Sequence, residues 1–267
     1  MPDDVLDTAA LLTAYDAQLR GAAEIPSAER LDRHGPLVWG RFAGGRGFVT
    51  YHDLGGATGE ALRELVATTA DHYRSDPGIT RVEWKTRGHD HAPGLHDLLV
   101  EHGFEPDEPE TVMVGRTEDL VSDVSLPDGV SIRQVSEPDD VRRMCLMADI
   151  AFGDESPGMA EALLSRLASG RDDMELWVAE ADDEIVSCGR LEPVDDSEFA
   201  GLWGGATLEA WRSRGIYRVL TSERARSALR RGRTLMNSDC TEFSRPILER
   251  AGMVKVTTTT PYEWRRG

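Results

Sequence analysis

The two halves of this sequence end in the same pattern, and that repetition limits the possible folds more than any other feature. Residues 95–114 read as a helix, a glycine with a large apolar residue, and a strand, and residues 245–264 repeat this order. LGGAT at 54–58 is likewise echoed by WGGAT at 203–207. Self-similarity of this kind indicates repeated structural units. We therefore expect an internal duplication, with two chance matches as the alternative.

The alternation of apolar patterns predicts an α/β chain of two domains. A length of 267 residues suits two domains of roughly 100–200 residues each. Segment 117–127 is polar and loses periodicity, so we place the domains at 1–125 and 126–267. Helices are expected at 1–20, 59–75, 93–103, 138–153, 159–170, 215–229 and 244–252, and strands at 36–42, 46–54, 78–86, 110–117, 130–135, 174–182, 184–194, 198–208, 234–239 and 253–264.

The charge balance narrows the classes of partner. The chain has 48 acidic and 30 basic residues, a formal net charge of −18. Such a chain repels phosphate backbones and anionic membranes, so we expect no nucleic acid and no membrane as partner. A small neutral or cationic substrate is favoured, with the protein a monomer or homodimer. Cys145, Cys188 and Cys240 lie far apart, which predicts free thiols in a reducing, cytoplasmic location.

One basic stretch stands out in this acidic chain. Gly201, Gly204 and Gly205 lie in a predicted strand, and glycines there favour a bulge or the close approach of a ligand. Arg212 and Arg214 follow, before a predicted helix that begins at 215. A helix N-terminus with convergent amides and nearby arginines favours a phosphate or pyrophosphate. The alternative is an ordinary strand, turn and helix with solvated arginines. The sequence has neither a P-loop nor a strand-linked G-x-G-x-x-G.

The segment from Arg212 to Tyr217 resembles the pyrophosphate loop Q/R-x-x-G-x-G/A of the GNAT superfamily of acyl-CoA-dependent N-acetyltransferases. It matches at Arg212 and Gly215 and departs at Tyr217, where the family has Gly or Ala. The resemblance runs from about Val130 to the C-terminus, and the arrangement is similar to the tandem, two-domain mycothiol synthases. It implies two GNAT-like domains, each a mixed, mostly antiparallel sheet flanked by helices, with acetyl-CoA as co-substrate and no metal.

The resemblance also implies the binding residues. Backbone groups of one strand would pair with the pantetheine amides, in a gap where strand 199–208 splays from strand 234–239, and the loop would wrap the pyrophosphate. The N-terminal copy is expected to be degenerate, because the position equivalent to Gly215 is Val66. The expected cofactor-binding residues are Gly205, Ala206, Thr207, Arg212, Ser213, Arg214, Gly215, Ile216, Tyr217 and Arg218.

The usual catalytic side chains of the family are missing. Its base position corresponds to Gly201 and its acid position to Leu248. Asp239 and Glu198 are the remaining candidate bases, although Asp239 also suits a turn. We expect direct attack by the amine of a small-molecule acceptor on the thioester. The alternative is a non-catalytic acyl-CoA-binding or regulatory protein; an aminoacyl-tRNA-dependent transferase and a module without CoA are weaker rivals.

A cluster of histidines in the N-terminal half suggests a metal site only weakly. His89, Asp90, His91 and His96 match no strong ligand spacing, and a polar loop that enters a helix explains them better. We therefore expect no metal there.

Overall fold

The computed structural model describes residues 7–242 and 244–267. Its helices are α1 Thr8–Leu19, α2 Gly59–Ser75, α3 Leu95–Glu101, α4 Pro138–Phe152, α5 Met159–Ala168, α6 Ile216–Arg230 and α7 Arg245–Arg250. Its strands are β1 Arg30–His34, β2 Leu37–Phe42, β3 Arg46–Tyr51, β4 Arg81–Arg87, β5 Glu105–Pro106, β6 Glu110–Arg116, β7 Val130–Val135, β8 Glu175–Ala181, β9 Glu184–Pro193, β10 Phe199–Thr207, β11 Leu235–Cys240 and β12 Val254–Arg265.

The expected helices and strands are present within a few residues, except that the predicted start of the first helix, at 1–6, lies outside the described residues. The sequence pattern does not predict β1 or the two-residue β5. In β1, Arg30, Asp32 and Arg33 interrupt the apolar pattern that marks a strand. This strand exists because it pairs with β2 over its whole length, from Arg30 opposite Arg41 to His34 opposite Leu37.

The chain forms two compact units. The N-terminal unit comprises Thr8–Val112, Asp239–Glu242 and Lys255–Gly267, and the C-terminal unit comprises Met113–Ser238 and residues 244–254. A single boundary at 125/126 does not separate these two units, because the last strand of the chain, β12, belongs to the N-terminal unit.

The N-terminal unit holds a sheet in the order β1-β2-β3-β4-β12. Pairs β1/β2, β2/β3 and β4/β12 are antiparallel, whereas β3 and β4 are parallel and are joined through α2. Its core is rich in aromatic residues, and Trp84, Tyr51 and Phe104 are almost fully buried in it. The amphipathic α2 contributes Leu62 and Val66 to this core at helical spacing.

The C-terminal unit repeats this plan with the order β6-β11-β10-β9-β8-β7. Strands β7, β8, β9 and β10 pair antiparallel in succession, and β10 pairs parallel with β11 through α6. One cluster of apolar side chains packs α4 and α5 against the sheet, and a second includes Ile216 of α6. Antiparallel neighbours followed by a helix-linked parallel pair thus occur in both units, which confirms the expected tandem α/β fold.

The cysteines and the helix lengths can also be compared with the sequence-based expectations. Cys145, Cys188 and Cys240 are buried free thiols, as the sequence predicts. Among the described residues, no helix has both the length and the apolar character needed to cross a bilayer.

Candidate active site

The glycine-rich strand β10 carries the bulge that its sequence predicts. Pairing with β9 is regular up to Trp203 opposite Arg190, then shifts before Ala206 opposite Cys188. Gly204, within the shift, has φ +57°, a conformation that favours glycine. The Cys188 thiol lies beneath the bulge, with Sγ 3.6 Å from the Gly204 carbonyl oxygen. Burial raises the pKa of this thiol to about 12, so it stays protonated at neutral pH.

Strand β10 separates from β11 partway along its length. The parallel pairing covers only Phe199 opposite Leu235 through Gly201 opposite Asn237. One more contact follows, where the Ser238 hydroxyl donates to the Leu202 carbonyl at 3.0 Å. The edge of β10 beyond Leu202 is therefore not paired with β11, and a bulged, diverging edge is suited to an extended ligand that carries its own amide groups.

The loop after β10 leads to the N-terminus of α6. Ser213 has φ +62° and Gly215 has φ +82°, so the backbone turns through two left-handed residues just before the helix. Gly215 is the N-cap, and the first hydrogen bond of the helix runs from the Val219 amide to the Gly215 carbonyl. The amides of Ile216, Tyr217 and Arg218 consequently have no acceptor within the helix. Such a terminus attracts an anion.

The two loop arginines do not both point to this helix end. The Arg212 guanidinium donates to the carbonyl of Thr207 at 3.1 Å and to that of Ala151 at 3.0 Å, so it ties the end of β10 to the end of α4. Arg214 stacks over the Trp211 ring at 4.8 Å. Arg218, in the first turn of α6, is exposed and makes no ion pair with any other residue that the structure describes. Arg212 therefore acts as a brace of the loop.

Tyr217, the departure from the family loop, lies against the bulge. A Cβ atom added to Gly205 would be 2.4 Å from the Tyr217 phenol oxygen. Arg224, one of the largest fully buried side chains, lies 5.6 Å from the centre of the same ring. Arg224 was not among the expected site residues, although its spacing from Tyr217 and Leu220 on α6 places it on the buried helix face.

The position of the family's base cannot hold a side chain here. A Cβ atom on Gly201 would be 2.2 Å from the Trp203 indole nitrogen, so the indole occupies that space. Leu248, at the position of the family's acid, is 1% exposed and offers no proton donor. Packing therefore accounts for the missing base at Gly201 and the missing acid at Leu248: the Trp203 indole fills the first position, and the second is buried.

The two candidate bases lie in different surroundings. Glu198 is exposed at the start of β10, on the far side of Gly201 from the bulge, where the Thr234 hydroxyl contacts it at 3.3 Å. Glu198 lies three residues before Gly201, which places the two on opposite faces of a regular strand, and the bulge follows both residues and so does not change this. Asp239 of β11 pairs with the Lys85 ammonium at 2.5 Å. Its other oxygen, Oδ1, is buried and has no hydrogen-bond partner among the described residues. Catalytic roles for both stay predictions.

Asp239 belongs to a buried network of charges in the N-terminal unit. Glu24 pairs with Arg87 at 2.5 Å and with Lys85 at 3.5 Å, and Arg87 also donates to the Tyr15 hydroxyl at 2.9 Å. Burial raises the pKa of Glu24, but Arg87 and Lys85 outweigh it and lower that pKa to about 2. Glu24 is thus charged at neutral pH.

Glu110 is a carboxylic acid that the sequence analysis did not single out. It is half-buried at the start of β6. Burial, and then the charge of Asp239, raise the pKa of Glu110. A raised carboxyl pKa marks a candidate proton acceptor, because a base works best with a pKa near the working pH. No sequence signal marks this residue, since its burial and the nearby charge of Asp239 both arise from the tertiary structure.

The histidine-rich segment makes structural contacts. His89 bonds Asp16 at 3.0 Å and Thr257 at 2.8 Å, and Asp90 pairs with Arg20 at 2.9 Å. His96 instead contacts the Tyr262 hydroxyl. Within residues 7–242 and 244–267, no three His, Cys, Asp or Glu side chains are grouped as a metal ion requires.

Solved structures share this fold at low sequence identity, whereas the sequence matches no protein-family model and no curated protein. A GCN5-related N-acetyltransferase from Kribbella flavida superposes with a TM-score of 0.67 at 17% identity, over 98% of this chain and 96% of that one. Another from Sphaerobacter thermophilus gives 0.63 at 18% identity, over 94% of each chain.

A tandem GNAT protein from the clavulanic acid biosynthesis pathway also superposes on nearly the whole chain. Its TM-score is 0.61 at 14% identity, and the match covers 98% of this chain and 96% of that one. At such identities the likeness speaks for the fold and leaves the reaction open. The chain therefore has the tandem fold of the GCN5-related N-acetyltransferases over nearly its whole length.

Proposed function

We propose that the C-terminal unit binds acetyl-CoA and transfers the acetyl group to an amine of a small-molecule acceptor. The carrying observation is the continuous path formed by the bulge of β10, its unpaired edge beyond Leu202, and the left-handed turn at Ser213 and Gly215 that opens α6. An extended chain with amide groups followed by a pyrophosphate matches this path in both chemistry and order.

The backbone of Gly205, Ala206 and Thr207 would hold the pantetheine arm. The residues proposed for the pyrophosphate are those of the loop and the first turn of α6: Arg212, Ser213, Arg214, Gly215, Ile216, Tyr217 and Arg218, with Tyr217 contributing only its backbone amide. Within this set, the hydrogen bonds of Arg212 to Thr207 and Ala151 support a role in bracing the loop. The exposure of Arg218 supports direct contact with the pyrophosphate. The arm fits the bulge only where the Tyr217 ring leaves room for it.

The bound thioester supplies the carbonyl carbon that a neutral acceptor amine attacks, with the thiolate as leaving group. The chain must then accept the proton that the amine loses. Asp239, whose Oδ1 is buried and has no hydrogen-bond partner among the described residues, is the carboxylate proposed for this step. Glu198 is a weaker candidate because it is exposed and lies before Gly201. Asp239→Asn should lower kcat.

The acceptor is proposed to be cationic. A net charge of −18 favours approach of a positively charged amine such as an amino sugar, a polyamine or an amino-acid derivative. We further propose that the N-terminal unit has no working pyrophosphate site, because Val66 is fully buried within α2 and no loop arginine accompanies it.

Calorimetric titration with acetyl-CoA and with CoA tests the binding step. Wild type should bind about one equivalent, and an Arg212→Ala, Arg214→Ala, Arg218→Ala variant should bind about tenfold more weakly or worse. Arg230→Ala, at the exposed C-terminal end of α6, is the matched control and should bind as wild type does. Binding of about two equivalents would contradict the inert N-terminal unit. Absence of binding to folded protein would refute the proposal.

A non-catalytic acyl-CoA-binding protein is the second candidate. It is favoured by the Trp203 indole in the space of the family's base and by the burial of Leu248. The two functions separate in an assay of free thiol released from acetyl-CoA over a panel of cationic amines. Release that depends on one amine supports the transferase, and tight binding without release for any amine supports the second candidate.

A further inference from the structure

The Tyr217 ring covers the part of β10 that an acyl-CoA arm would use. An added Cβ on Gly205 would lie 2.4 Å from the phenol oxygen, 2.7 Å from Cε2 and 2.9 Å from Cζ. The ring edge therefore rests directly on the Gly205 backbone. The φ of Gly205 lies outside the left-handed region, so glycine is needed here for space and not for conformation.

The other side of the ring faces a buried cation. Arg224 is 0% exposed, and its guanidinium carbon lies 5.6 Å from the ring centre. It donates to the carbonyls of Leu220 and Arg190 and to the Thr221 hydroxyl. Over the described part of the chain, no carboxylate pairs with it within 4.0 Å. Burial of a guanidinium without a counter-ion costs free energy of desolvation. Its attraction to the electron-rich face of the ring offsets part of this cost and is stronger away from water.

Helix α6 itself is firmly held, so the ring is the part that can move. Ile216 is 1% exposed in the apolar cluster, and the Ser222 hydroxyl makes hydrogen bonds to both the amide and the carbonyl of Ser122. Tyr217 is only half-buried, in the first turn of the helix. Rotation about its side-chain bonds would uncover the bulge without moving the helix.

We propose that Tyr217 is a gate over the β10 bulge and that Arg224 latches it shut. The inference rests on the proposed binding of acyl-CoA at this bulge. With the ring closed, the Gly205 backbone is covered; with the ring open, the unpaired edge of β10 accepts the arm. Because only the open fraction binds, the latch weakens the apparent affinity for the arm.

Two measurements on the full chain test the gate. Hydrogen exchange of the peptide that covers 204–207 is measured without ligand, and acetyl-CoA affinity is measured by calorimetry. Tyr217→Gly should speed the exchange and tighten acetyl-CoA binding, each by about tenfold. Tyr217→Phe keeps the ring and should match wild type in both. Arg224→Met keeps the bulk but removes the latch, and should shift both in the direction of Tyr217→Gly. Arg230→Ala, on the same helix, is the control.

The outcomes separate the gate from the proposed function. Unchanged exchange in Tyr217→Gly overturns the gate, and so does weaker acetyl-CoA binding in that variant, which would make Tyr217 a ligand contact. Faster exchange with tighter binding supports both proposals. Faster exchange with no acetyl-CoA binding in any variant supports the cover over the bulge and refutes acyl-CoA as its occupant. Tyr217→Gly and Tyr217→Phe decide the question even where Arg224→Met fails to fold.

Discussion

Two glycines of β10 are required by aromatic side chains that lie on them. Gly201 leaves room for the Trp203 indole, and Gly205 leaves room for the Tyr217 ring. Neither needs a left-handed backbone, in contrast to Gly204 between them, whose φ is +57°. A single glycine-rich segment thus serves two physical purposes, close packing and backbone conformation, and only the coordinates tell them apart.

A double-mutant cycle on Gly205 and Tyr217 follows from this contact. Gly205→Ala places a methyl group against the phenol and should cost about 1–3 kcal/mol in the free energy of unfolding. In a Tyr217→Gly background the same change should cost less than about 0.5 kcal/mol, because the clash is gone. Chemical denaturation of the four proteins measures the coupling. Equal costs in both backgrounds would show that the ring does not rest on Gly205.

Arg212 and Arg218 should affect the protein in different ways. Arg212→Ala removes the brace between β10 and α4 and should lower the free energy of unfolding by about 1 kcal/mol. Arg218→Ala should leave stability unchanged within about 0.5 kcal/mol, because the side chain is exposed. Arg218→Ala should instead reduce the salt dependence of acetyl-CoA binding, since it removes an exposed charge near the anion. Thermal unfolding and titrations at two salt concentrations distinguish these roles, and identical stability losses would contradict the assignment.

At the scale of elements, the two halves exchange their last strands. The strand after α3 is β6, and its residues from Met113 onward belong to the C-terminal unit beside β11. The strand after α7 is β12, which pairs with β4 from Thr259 opposite Arg87 to Arg265 opposite Arg81. Each unit is therefore completed by a strand that follows the other unit's last helix, and neither half of the sequence corresponds to a complete unit.

A substitution in β12 should consequently lower the stability of α2 and α3, which are far from β12 in the sequence. Tyr262 is 7% exposed in the core of the N-terminal unit, and its hydroxyl bonds His96 of α3. Tyr262→Ala should cost about 3–5 kcal/mol, as do comparable losses of buried aromatic side chains. Hydrogen exchange should show the loss of protection in α2 and α3. Loss confined to α6 and α7, the neighbours in sequence, would contradict the exchange of strands. Glu263→Ala, at a less buried position of β12, is the control.

At the scale of the whole molecule, acid stability should depend on the buried network around Glu24. The folded protein holds the pKa of Glu24 at about 2, against an ordinary 4.5, because Arg87 and Lys85 outweigh the effect of burial. A group with a lowered pKa contributes stability above its unfolded pKa and loses it as the pH falls. We expect a loss on the order of 3 kcal/mol between pH 4.5 and pH 2.

Glu24→Gln should remove that part of the pH dependence. The variant should also be less stable at pH 7, by about 3–5 kcal/mol, because Arg87 and Lys85 lose a buried partner. Glu29→Gln, at an exposed residue nearby, is the control and should follow wild type. Urea titrations at several pH values give the comparison. A Glu24→Gln profile parallel to wild type below pH 4.5 would contradict the role of Glu24.

The sequence by itself determined most of the helices and strands and the tandem plan, together with the bulge of β10 and the turn before α6. Periodicity, turn residues and the repeated helix–glycine–strand pattern are local, and local preferences decide where helices and strands begin and end. The glycines of β10 and the loop at 212–217 are also local signals. They predict the bulge and the left-handed turn that the structure contains.

Only the tertiary structure decided the exchange of β6 and β12, the brace at Arg212, the pair of Asp239 with Lys85, and the contact of Tyr217 with Gly205 and Arg224. Each joins residues that are distant in the chain or depends on which rotamer a side chain adopts. Asp239 and Lys85 are separated by 154 positions. No spacing rule spans such a distance, because the pairing energy arises only when packing has brought both groups out of water into one place.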